Sequence, residues 1–162
     1  MTPEAFAYQL NLSYAVVKRN VGKITHEESL VQPAPAGNCL NWVLGHLVAT
    51  RNNLLRGLGG EPAWSKAECA RYERHGPPIK SAGEARPLEE IWSAFDASQE
   101  RLLSIVSELT PQQLAQKAPF SPSNNRDETV GSLLASFAFH DAYHTGQTGL
   151  LRRIVGKAPA DL

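Results

Sequence analysis

The sequence is short of nearly everything that would announce a function by composition. Sixteen Lys and Arg balance sixteen Asp and Glu, so no basic field gathers phosphate backbones or anionic lipid over long range, and neither nucleic acid nor a membrane surface is the expected partner. Two cysteines, Cys39 and Cys69, are too few for a disulfide framework. No apolar run approaches the roughly 20 residues of a membrane-spanning helix, and Met1-Thr2-Pro3-Glu4 lacks the basic flank and apolar stretch of a signal peptide. The expectation is a cytoplasmic protein with reduced thiols. Also missing are a Gly-rich phosphate loop, a Gly-x-Ser-x-Gly elbow and a CxxC pair, which leaves nucleotide cofactors and serine-hydrolase chemistry without support. No alternating β-branched run and no repeat of solenoid length occurs.

What is present is a helical pattern over 162 residues, a length suited to one domain spanning 1–162. Thr2-Pro3-Glu4 reads as an N-cap, a proline at the first helical position and an acid on the positive end of the dipole. Phe6, Leu10, Tyr14, Val17 and Val21 then recur at helical spacing, and Gly22 offers a stop. Residues 22–37 read as an irregular connection. Asn38 is the expected cap of a second helix whose stripe, Leu40, Val43, Leu44, Leu47, Leu54, Leu55 and Leu58, ends at Gly59-Gly60.

Prolines and glycines between 61 and 86 forbid a long helix, and that crossover is expected to hold at most a solvated helical turn. A third helix from about Pro87 buries Ile91, Phe95, Leu102, Ile105, Val106 and Leu109. Thr110-Pro111-Gln112-Gln113 has the form of a capping box for a short extra turn. A fourth helix runs from about Thr129 to Gly156, after which the tail should fray. The fold class is all-α, a four-helix bundle in which the long crossover between helices 2 and 3 suggests up-down-down-up order.

Five histidines occur. His140 and His144 are four apart on a helix, roughly 6 Å from each other on one face, and can converge on one ion. Spacing of this kind arises by accident in roughly one such chain in eight, so the pair needs a third ligand. His46 lies beside the stripe of the second helix and can look into the bundle. Three neutral imidazoles leave a coordination position open, the arrangement of catalytic zinc. The competing reading makes all three ordinary polar residues at the edge of a core. His26 and His75 read as solvated loop residues, and Cys39, two turns or about 10 Å from His46, as a small packing residue. Gln147 could orient His144 or a bound water, and Trp42 and Asn53 could line a pocket mouth. Asp141 and Tyr143 fall on faces other than that of the histidine pair.

Asn41-Trp42-Val43-Leu44-Gly45-His46-Leu47, and Phe139 to Gln147 with its H-x-x-x-H-x-G-Q pattern followed by Arg152-Arg153 and Gly156, resemble the second- and fourth-helix signatures of the DinB-like (damage-inducible, YfiT-type) superfamily. The resemblance spans essentially the whole chain. It implies an up-down-down-up bundle holding one divalent metal ion, usually nickel or zinc, on His46, His140 and His144. It also implies a homodimer and no polymerase activity. Relatives include S-transferases that use low-molecular-weight thiols, although this chain carries no recognisable thiol-cofactor signature. Two functions follow as expectations: a metal-dependent thiol S-transferase or hydrolase acting on a small-molecule substrate, or a non-catalytic bundle that binds metal, ligand or partner.

Overall fold

The computed structural model describes residues 1–159, and among them the protein is all-helical, with seven α-helices and no strand. Four helices are long: α1 (Pro3–Val21), α3 (Leu40–Gly57), α5 (Leu88–Ser107) and α7 (Val130–Ile154). Three are single turns: α2 (His26–Ser29), α4 (Lys66–Cys69) and α6 (Pro111–Ala115). No helix among the described residues is long and apolar enough to cross a membrane. In the bundle α1 packs chiefly on α7 and α3 chiefly on α5, with α1–α5 and α3–α7 closing the ring.

Capping explains where most helices start. Thr2, Thr110 and Thr129 each accept a hydrogen bond from a backbone N–H of the first turn, as their positions suggested. The second long helix differs: its N-cap is Cys39, not Asn38, and no side chain caps it. The connection at 22–37 is not wholly irregular either, because Thr25 and Glu28 form a reciprocal capping box that closes α2. His26 therefore lies on a helical turn and is half-buried, not solvated.

The larger correction concerns the crossover. Residues 61–86 were expected to hold at most a solvated helical turn, yet Trp64, Cys69, Tyr72 and Ile79 are buried in the core. Ser65 and Glu68 box the start of α4, which runs into a 3₁₀ turn at Ala70–Tyr72. This wrap explains why α3 is buried on every face from Leu40 to Ala49 rather than along one stripe. Helical periodicity reports the face turned to the other long helices and is blind to a loop folded over the opposite face. The tail is tied down as far as it is described: Lys157 pairs with Glu28 at 2.9 Å and Arg152 donates to the Ala158 carbonyl at 2.6 Å. The remainder of the expected fraying, at 160–162, lies outside the described residues.

Two apolar clusters fill the interior. One gathers Val17, Leu44, Leu47, Ile91 and Phe95 with the buried crossover residues. The other joins Phe6 and Leu10 to Leu54, Leu55, Leu102, Leu133 and Leu134. A polar chain draws one residue from each long helix. Arg51 of α3 donates to Asp141 of α7 through Nη2 at 2.7 Å and Nε at 3.1 Å, and through Nη1 to Gln99 of α5 at 3.1 Å. Gln99 in turn donates to Asn11 of α1 at 2.9 Å. The Arg51 guanidinium also stacks on Phe95, 3.9 Å from the ring centre.

Asp141→Asn strands the Arg51 charge, which is 1% exposed. The expected loss is about 3–5 kcal/mol of unfolding free energy, read from urea denaturation of metal-free protein. A loss under about 1 kcal/mol would show that the pair does not hold α3 to α7.

Candidate metal centre

Two helices supply the three histidines, His46 from the first half of α3 and His140 and His144 from the middle of α7. One ring nitrogen from each lies within 4.8 Å of the others. The Nε2 atoms of His46 and His140 are 3.1 Å apart, and the His140 and His144 ring centres 4.4 Å. Two nitrogens on a tetrahedral zinc are separated by ~3.3 Å, so the cluster is close to the spacing an ion requires.

Proton placement points the same way. His46 Nδ1 lies 2.6 Å from the Tyr72 carbonyl oxygen, which only accepts. Nδ1 therefore carries the proton and Nε2 keeps its lone pair toward the cluster. His144 Nδ1 is fixed similarly by Gln147 Oε1 at 2.7 Å. Without an ion, lone pairs on both His46 and His140 Nε2 would repel, so His140 Nε2 carries a hydrogen and donates it to His46. That leaves His140 Nδ1 buried with no partner among the described residues. Such a buried unpaired nitrogen fits a donor set whose protons rearrange when a cation enters. Three neutral imidazoles suit zinc or nickel chemically.

The site keeps these rings neutral. Burial pushes His46 down to about 4, against the opposing pull of the Tyr72 carbonyl. Burial, then its two histidine neighbours, pushes His140 down to about 3. His144 is also lowered by burial, with Gln147 opposing.

Trp42, Gln147 and Asn53 take different places. Trp42 stacks on His46 with ring centres 4.9 Å apart and planes 11° from parallel. Gln147 orients His144, as its spacing suggested. Asn53 is exposed and accepts from Arg56 at 3.1 Å; it lines a cleft that His46 and His140 also line. His26 and His75 stand outside the cluster. Asp141 faces Arg51 rather than the histidines, and exposed Tyr143 meets the His144 ring edge-on.

Tyr72, which spacing did not single out, does much of the positioning. Its carbonyl holds His46, its hydroxyl donates to Asn41 at 3.1 Å and accepts from the Arg86 backbone N–H at 2.9 Å, and its ring lies against Gly45. A Cβ at Gly45 would overlap that ring, so glycine before His46 is a steric requirement. The only sequence trace of this contact is a tyrosine amid charged residues.

Two clefts meet at the cluster. One, of about 810 Å³, runs past Thr50 and Asn53 to Phe120. The other, of about 910 Å³, runs past Trp42 and Tyr143 to Ile154. His46, Arg74, Phe139 and His140 line both.

Comparison with known proteins bears on the family and the fold. The family model of the DinB superfamily matches residues 9–148. A solved structure of a conserved protein from Enterococcus faecalis superposes with a TM-score of 0.74 at 18% identity, covering 97% of this chain and 99% of that one. That likeness establishes the fold alone. No curated protein matches the chain.

Two outcomes follow from the buried, neutral histidines. In metal-free protein, the unfolded chain takes up protons on these rings below about pH 6.5 while the folded one does not, so stability falls as pH drops from about 6.5 toward about 4. Replacing His140 by Phe should flatten this slope in unfolding curves run at stepped pH, and an unchanged slope would contradict it. Gly45→Ala should cost about 1–3 kcal/mol of stability through the Tyr72 clash. The same variant should lower metal affinity measured by competition with a chelator, and unchanged affinity would refute Tyr72 as the residue that orients His46.

Proposed function

Because the chain belongs to the DinB superfamily, we propose that His46, His140 and His144 hold one divalent metal ion, nickel or zinc, in an enzyme acting on a small molecule. The observation carrying this reading is the convergence of three ring nitrogens within 4.8 Å. We favour transfer of a low-molecular-weight thiol to an electrophile over hydrolysis. Two clefts meeting at His46 and His140 support that preference, because transfer needs room for two organic reactants and hydrolysis for one. In the same reading the long helices form an up-down-down-up bundle. The α1–α5 contacts, Asn11 with Gln99 and Tyr14 with Asp96, run in opposite sense along the two helices and support it.

A bound zinc or nickel ion would supply Lewis acidity, holding a thiol or water deprotonated near neutral pH. The chain's own residues prepare the place. The Tyr72 carbonyl holds the Nδ1 proton of His46 and Gln147 that of His144, so neither ring can turn its lone pair away. Trp42 covers one face of His46 and keeps water from it. Burial keeps the three rings neutral, as ligands must be.

The test is elemental analysis of tag-free protein, purified without chelator or a nickel column, beside His46→Ala and His140→Ala/His144→Ala variants checked for folding. About one first-row metal ion per chain is expected, lost in both variants. Conjugation of a test electrophile with one particular thiol should disappear with the metal. Absence of metal after reconstitution with zinc or nickel would overturn the metal reading, and indifference to every thiol would overturn the transferase.

A further inference from the structure

The larger cleft has apolar walls and one permanent charge. Trp42, Phe139, Tyr143 and Leu150 line it, the histidines lie within it, and Arg74 is its only Lys, Arg, Asp or Glu among the described residues. Phe139 and Tyr143 remain 76% and 58% exposed, large rings left uncovered beside a polar centre.

Arg74 also differs from the other arginines of the crossover. Arg71 pairs with Glu84 at 4.0 Å, and Arg86 pairs with Glu68 at 2.9 Å and Glu90 at 3.3 Å. The Arg74 side chain has no ion pair or hydrogen bond among the described residues. Its backbone is nonetheless well placed. It follows Tyr72, whose carbonyl grips His46, by two residues, and it sits in a tight turn closed by the Gly76 N–H on the Glu73 carbonyl at 2.9 Å. A Cβ at Gly76 would press on the Arg71 carbonyl oxygen at 2.6 Å, so the turn is closely packed. Glu73 lines the smaller cleft and leaves the larger one without a carboxylate.

We propose that Arg74 receives the anionic group of the small molecule that occupies the larger cleft, so that the site selects an apolar body carrying a carboxylate. The guanidinium fork matches that group in two-point contact, and the uncovered rings take the apolar body. Only the placement of the ligand's reactive end on the histidines rests on the metal-centre reading. The ion pair itself does not.

The test compares 4-phenylbutanoate with 4-phenylbutanamide by NMR titration, on metal-free and zinc-loaded wild type and Arg74→Gln. Wild type should bind the carboxylate roughly fivefold more tightly than the amide, with shifts at Phe139 and Tyr143. In Arg74→Gln, whose exposed side chain carries little folding energy, that preference should vanish while amide affinity stays the same. Equal affinities in wild type, or a preference that survives the substitution, would overturn the proposal. If zinc does not load, the metal-centre reading fails, and the metal-free titration still decides the role of Arg74.

Discussion

Everything at the centre depends on a buried guanidinium. Arg51 reaches Asp141 and Gln99, and Gln99 reaches Asn11, so one polar chain ties all four long helices. Apolar packing alone tolerates sliding of one helix past another, since leucine is accommodated almost equally well a turn away. A buried ion pair does not, because a slip leaves a charge without its partner. Asp141 lies between His140 and His144 in sequence, so the contact that fixes α7 against α3 also fixes the height at which the histidines meet.

Much of this was legible in the sequence, and the reasons are local. Thr2, Thr110 and Thr129 announce helix starts because capping is a short-range hydrogen bond. His140 and His144 announce a shared face because four residues is about one turn. Trp42 and Gln147 are within one turn of a clustered histidine and lie against it. The polar chain was not legible: Asn11, Arg51, Gln99 and Asp141 come from four distant segments, and nothing in their local neighbourhoods distinguishes a buried arginine from a solvated one.

The crossover was the largest misreading, for a physical reason. Charges, prolines and glycines at 61–86 describe a segment that cannot form a long helix, which is a statement about backbone conformation and not about burial. Its anchors, Trp64, Cys69, Tyr72 and Ile79, are too far apart to show a period. The same segment carries the hydrogen bond that orients His46, so the centre is built by two helices and a loop. Gly45 links these parts, small enough for the Tyr72 ring to lie directly on α3.

His46 and His140 are 94 positions apart in the chain. An ion spanning them would act as a removable cross-link closing more than half the polypeptide, with the entropic leverage of a long-range staple. No such site exists in the nascent chain until α7, the last long helix, has docked on α3. Metal choice would then be deferred until folding is complete, and the ion captured would be set by which cations are free at that moment and fit the finished cage.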